Sequence, residues 1–351
     1  MKEILISKSK SIKEIGLMHG KMGFCIYCYL KGRESKEEIY IQHAEELLDE
    51  IFSQVTISTP ISFDYGLLGI GFGIEFLVQN NFVQADTDKV LEEIDIQTLK
   101  VFGGEALLNL GLTDGITGCL YYLIKRLCAK KNKSNSLSFE LNKEMFVLMI
   151  NTVDQLCLRN IHSISKDISF DLFSDFPTLI NALGHAYDLG LYNSKIERVI
   201  NQLMPCFETN MPSLNINRLH LTNELLNTVS KINRSKFERQ IDVLLYSVNF
   251  DKIIEEVGDV FVGLGNGLIG LKYVLCKLSC SLPKSSPYRI KAIQIFEEIS
   301  KIKVNIAPNE LILPKSFGIK EGLVGIELMN LIIPSDLDLN KNQVFSNLLI
   351  F

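Results

Sequence analysis

The sequence predicts an all-α protein, an α/α toroid of seven helical hairpins of about 50 residues each. Three observations predict it. Proline is scarce, at 9 in 351 residues, which favours helices over a loop-rich β-fold. A G-x-x-G element followed by an apolar run recurs five times. Between these runs lie amphipathic segments. Length alone suggests two domains, but the repeat replaces that expectation with one toroid domain over residues 1–351.

The elements are Gly20 to Gly23, Gly66 to Gly69, Gly115 to Gly118, Gly267 to Gly270 and Gly322 to Gly325. Their first glycines lie 46, 49, 152 and 55 residues apart. The long gap equals three periods of about 51, so two degenerate copies are expected near residues 166 and 217. Asp171 to Pro177, leading into the apolar run 178–191, is one candidate. Asn217 to His220, leading into 221–229, is the other.

Each glycine element opens the first helix of its unit. That helix is apolar nearly all round, as in 69–78, and is expected to be buried. Glycines one turn apart let a neighbouring helix or loop approach its backbone. The second helix is amphipathic. In the first unit Ile39, Leu47, Leu48, Ile51 and Phe52 keep a helical period. Capping boxes at Ser35/Glu38, Ser194/Glu197 and Ser235/Glu238 predict second-helix starts. Ser286 before Pro287 predicts another, with proline at the first helical position. Buried helices inside and amphipathic helices outside describe a closed ring. An open solenoid carries polar capping repeats, whereas Gly322 to Ile333 stays apolar.

The net charge of −5 argues against a nucleic-acid partner, which usually needs a basic face. No apolar stretch reaches the length of a membrane span. The apolar run near Met1 is too short for a signal peptide, so a cytoplasmic location is expected. The eight cysteines lie mostly in apolar helical patterns and read as reduced, buried thiols.

The flanked glycine elements Gly16 to Gly23, Tyr65 to Gly73, Gly111 to Gly118, Gly263 to Gly270 and Gly318 to Gly325 resemble the lanthionine synthetase C-like family, the lanthipeptide cyclases. The resemblance implies a seven-fold α/α toroid with a zinc ion at its mouth. In that family the zinc activates a cysteine thiol, which adds to a dehydrated Ser or Thr and forms a thioether. A coordinated thiol is deprotonated at neutral pH. The family's three zinc ligands fall on Gly265, Lys320 and Glu321 here, and none is a ligand of the family type. Zinc, or any other cofactor, is therefore not expected. Gly111 stands where an aspartate is frequent, with Asp114 nearby, and Asp175 best matches a family histidine.

The resemblance implies maturation of a ribosomally synthesised peptide, here by binding a precursor peptide or a partner modifying enzyme. An active thioether-forming cyclase is the first alternative. A carbohydrate-active α/α-barrel enzyme, using paired rim carboxylates, is the second. The absence of tryptophan, a common sugar-stacking platform, speaks against the latter.

Loops before the buried helices should line one rim. His19, Asp114, Asp175 and His220 are its candidate catalytic groups. Asp64, Tyr65, Asn266, Lys320 and Glu321 are its candidate binding groups. Asp64 and Asp114 fit helix capping better. Lys320 and Glu321 also suit a simple ion pair. Cys25 with Cys28, and Cys276 with Cys280, share helix faces and read as core. His43, His162 and His185 read as surface or packing residues.

Overall fold

The computed structural model describes residues 6, 12–103, 109–129, 136–164, 170–232, 234–258, 263–302, 318–320 and 322–333. Fifteen α-helices and no strand occur among them. In chain order they are α1 (Lys21–Ser35), α2 (Glu38–Gln54), α3 (Leu67–Gln79), α4 (Thr87–Val90) and α5 (Glu92–Phe102). Next come α6 (Ile116–Ala129), α7 (Leu137–Ile164), α8 (Asp175–Asp188), α9 (Asn193–Thr209) and α10 (Asn215–Ile232). The last are α11 (Arg234–Ser247), α12 (Ile253–Val257), α13 (Leu268–Ser281), α14 (Pro287–Lys301) and α15 (Leu323–Ile332).

Seven of these helices form a closed inner ring. Helix α1 packs on α3, α3 on α6, α6 on α8, α8 on α10, α10 on α13, α13 on α15, and α15 returns to α1. Helices α2, α5, α7, α9, α11 and α14 each pack on an inner helix from outside. The burial patterns agree. Helix α3 is buried from Leu67 to Leu77 without interruption. Helix α2 buries only Tyr40, His43, Ala44, Leu47 and Ile51.

The glycine elements now have a physical cause. Gly20, Gly66, Gly267 and Gly322 are helix N-caps in extended backbone, and none offers a side-chain cap. The orphan amides of the first turn are instead met by the preceding loop. Leu67 N–H donates to Pro60 O at 2.9 Å, Lys21 N–H to Glu14 O at 2.9 Å, and Ile116 N–H to Asn109 O at 3.0 Å. The loop must therefore lie flat against the helix. A Cβ on Gly69 would meet Phe63 O, and on Gly118 Leu112 O, closer than the 3.0 Å that real Cβ atoms keep. The same glycines seat the preceding unit, with Leu17 against Gly69, Phe63 against Gly118 and Ile319 against Gly23.

Backbone bonds join the loops around the ring. Phe63 N–H donates to Thr113 O at 2.7 Å, and Ile319 N–H to Met18 O at 2.7 Å. Each bond runs from one unit to the next, and the second closes the circle between the last and first units. Met18 N–H donates to Asp64 O at 3.1 Å. In the degenerate fourth unit a side chain takes over, and Leu112 N–H donates to Asp175 Oδ1 at 3.2 Å.

Several expectations need correction. The capping boxes do not form at Ser35 and Ser194. Ser35 ends α1 and accepts from Glu37 N–H at 3.4 Å, while α2 is capped by Glu37 without a side-chain bond. Ser194 lies inside α9, and Glu197 instead accepts from the Tyr187 hydroxyl at 2.9 Å. Ser286 does precede α14 with Pro287 at its start. Ile39 and Phe52 are exposed at 47% and 52%, because the core-facing stripe of α2 runs through Tyr40, His43 and Ala44.

One buried charge network lay outside the hydrophobic pattern. Arg126 on α6 is fully buried. Its guanidinium donates to Glu75 on α3 at 2.5 Å and to Asp95 on α5 at 2.5 Å. Asp95 also accepts from Tyr122 Oη at 2.6 Å and from Asn142 Nδ2 on α7 at 3.1 Å. Four helices of the second and third units thus meet on one cation.

Candidate functional site at the glycine-loop mouth

The loops before the inner helices gather at one end of the ring. There His19 stacks on Tyr65 with ring centroids 5.2 Å apart. Tyr65 is 42% exposed, so its outer face is open to a ligand. Beside it, Asp64 is buried and accepts from Thr113 Oγ1 at 2.7 Å, while its Oδ1 has no hydrogen-bond partner. Burial holds the Asp64 carboxyl above the usual range; the Thr113 bond and the charges of Lys320 and His19 pull it back. Asp64 is not the cap of α3, a place held by Gly66.

Lys320 belongs to the seventh unit, yet its Nζ lies 5.6 Å over the Phe173 ring of the fourth. These units stand across the ring from one another, so Lys320 reaches over the mouth. Asp114 and Asp175 are exposed on the same rim, Asp175 in the first turn of α8. Glu321 lies outside the described residues, as does the side chain of His162.

His220 is placed differently from the rim loop expected of it. It lies inside α10 and is 2% exposed. Burial pushes its imidazole down to about 4, against the nearby Asp171 charge and a bond to the Gly265 backbone. It is therefore neutral at pH 7, with Nε2 unpartnered. Asn266 is half-buried, and its Oδ1 also has no partner. His43 is buried edge-on against Phe24, and His185 is half-buried.

The structure brings together His19, Asp64, Tyr65 and Lys320 on one side of the mouth. Asp175 ties the third loop to the fourth. Phe173 and Thr113 were missed in the sequence. Thr113 occupies the same place before its glycine as Asp64 and Lys320 do, two residues upstream, and that register is the signal that finds it. Phe173 has no such signal, because its unit has lost the glycines.

All eight cysteines are free. Burial pushes the Cys25 and Cys28 thiols up, as expected of core residues. Cys280 differs. It is exposed on α13, where its Sγ donates to Cys276 O at 3.0 Å, and interaction with the Cys276 side chain, helped by Ser279, Lys277 and Arg289, holds its thiol below the usual value despite burial of part of the side chain. The thiolate is the nucleophile. Limited alkylation with iodoacetamide at pH 7 is therefore expected to modify Cys280 first, ahead of the other exposed thiol, Cys128; peptide mapping reads the order.

Among solved structures, nisin cyclase is similar, with a TM-score of 0.65 at 14% identity over 94% of this chain and 92% of that chain. The chain has the nisin cyclase fold. No protein-family model and no curated protein sequence matches it. The expected toroid of lanthionine synthetase C-like type is thus the fold observed, on a sequence far from that of nisin cyclase.

The zinc positions that the resemblance implies can be tested on their chemistry. Gly265 supplies no donor atom, and a Cβ there would meet open space. Lys320 presents an ammonium, directed to the Phe173 ring. No group of three or more His, Cys, Asp or Glu among the described residues is arranged to hold a metal ion. These residues do not fit a zinc ion of that kind. No helix among the described residues is long and apolar enough to cross a membrane.

Proposed function

We propose that the protein serves in the maturation of a ribosomally synthesised peptide, as a metal-free binder of the precursor peptide at the glycine-loop mouth. The observation that carries this reading is Lys320, which sits two residues before a ring-loop glycine and points over the mouth to Phe173. A cation placed there repels a dication and attracts peptide carboxylates. The open face of Tyr65, backed by His19, offers a flat aromatic surface for an apolar side chain. The exposed Asp114 and Asp175 offer acceptors for peptide N–H groups or basic side chains. Nisin cyclase, by its name, forms rings; the protein here binds the peptide without a metal.

The test uses a fluorescent peptide containing dehydrobutyrine and cysteine. Saturable anisotropy is expected, weakened about tenfold by Tyr65→Ala and by Lys320→Glu. The free-thiol count should stay equal to that of the peptide alone. Absence of binding would sink the reading. Thiol loss only in the presence of protein would replace it with an active cyclase.

A further inference from the structure

We propose that a cleft between α2 and the loop after α3 docks a basic peptide segment of a partner polypeptide, with an arginine side chain held by Tyr29, Phe82, Glu45 and Asp49. The cleft has a volume of about 400 Å³. Glu45, Leu48, Asp49 and Phe52 line it from α2. They are spaced three and four residues apart, so they form one face of that outer helix. Tyr29 of α1 and Phe82 of the loop complete the cleft. Phe52, which the core leaves half exposed, is thus part of a concave surface.

The loop fixes its aromatic ring in place. Phe82 N–H donates to Leu77 O at 2.9 Å, and Asn81 takes the left-handed backbone, φ 57°, that asparagine tolerates. The Phe82 ring packs on Tyr29 with centroids 5.4 Å apart. A guanidinium of the chain itself already uses this ring. Arg33 lies 3.5 Å from its centroid and donates to Asn80 O at 2.6 Å. Arg33 lines a second cleft, of about 430 Å³, which shares Tyr29 and Phe82. That second cleft carries both signs of charge, Arg33 and Lys36 with Glu37 and Glu38. Among the described residues no cation lines the first cleft.

The acids of α2 divide in the same way. The helix contains no lysine or arginine. Glu46 meets His43 at 3.2 Å, and Glu50 meets Lys21 at 2.8 Å. The carboxylates of Glu45 and Asp49 are exposed and have no ion pair or hydrogen bond among the described residues. Burial raises the Tyr29 hydroxyl, and Cys25, Glu45 and Asp49 raise it further, so their charge is felt inside the cleft. Unpaired carboxylates beside aromatic rings suit arginine, whose planar guanidinium pairs with acids and stacks on rings. The ligand extends beyond one side chain. Leu48, Phe52 and Val83 offer apolar contacts to its neighbours, and Ile41 adds another in the second cleft. A free guanidinium compound would leave these contacts unused.

The test is fluorescence anisotropy of the full chain with a labelled peptide of alternating arginine and leucine. Saturable binding is expected, weakened by added salt. Glu45→Lys and Asp49→Lys should each weaken it at least about tenfold, and Phe52→Ala should weaken it too. Glu46→Gln, on the same helix but outside the cleft, should leave it unchanged. All four substitutions change exposed side chains, and circular dichroism verifies that each variant is folded. The same peptide with glutamate for arginine should not bind. Absence of saturable binding overturns the proposal, and so does arginine amide alone competing as well as the peptide. Binding indifferent to both lysine variants also overturns it, while leaving the reading of the mouth standing.

Discussion

Arg126→Met is expected to destabilise the protein by about 3–5 kcal/mol, the cost of leaving buried charge uncompensated. Arg126 is fully buried, and so are both carboxylates that it holds, Glu75 and Asp95. Its loss strands two acids at the junction of α3, α5, α6 and α7. Asp95 would keep its bonds from Tyr122 and Asn142, but Glu75 would keep only a long bond of 3.4 Å from Gln79. Arg126→Lys should recover little, because one ammonium cannot reproduce a fork that reaches both acids. Urea unfolding followed by far-UV circular dichroism measures both variants. Losses below about 1 kcal/mol, the range of exposed pairs, would show that the network is not the junction described.

Gly69→Ala is expected to be nearly as damaging, at about 3 kcal/mol, the upper part of the overpacking range. The added methyl group would overlap the Phe63 carbonyl, which is backbone, and would press on Leu17 of the preceding unit. Neither can move alone. Phe63 N–H is bonded to Thr113 O, so a shift of this loop propagates to the third unit. Gly265→Ala is the control. Its Cβ would enter open space, and its stability should be unchanged within error. A midpoint in urea for Gly69→Ala equal to that of Gly265→Ala would remove the close-approach explanation of the glycine elements.

Much of the ring was legible because its repeat is a local rule. A glycine is demanded wherever a loop carbonyl passes against a helix start, and this happens in the same register at Gly23, Gly69, Gly118, Gly270 and Gly325. The fourth and fifth units were harder to read because both have lost the glycines, and in the fourth a side chain stands in for the loop backbone. Asp175 replaces a loop carbonyl as acceptor for Leu112 N–H. In the fifth unit α10 begins at Asn215, which draws His220 into the helix, where it is buried. The capping boxes misled for a related reason. Where a second helix starts depends on how the first one ends, and Ser35 is claimed by α1.

The mouth was legible in part. Counting back from each glycine finds His19, Asp64, Tyr65, Asp114 and Lys320. That register does not reveal that Lys320 crosses to Phe173, or that His19 stacks on Tyr65. Those contacts join loops from different units, and side-chain reach across a ring is not encoded in spacing along the chain.

By itself the sequence determined the repeat, its period, and the alternation of buried and amphipathic helices. These follow from steric and hydrophobic demands met within one hairpin. Closure was expected from the sequence, but only the tertiary structure shows what makes it, α15 packing against α1 and Ile319 N–H reaching Met18 O. It also decided which charges share a space, since Arg126 meets Glu75 and Asp95 only after neighbouring units have packed together.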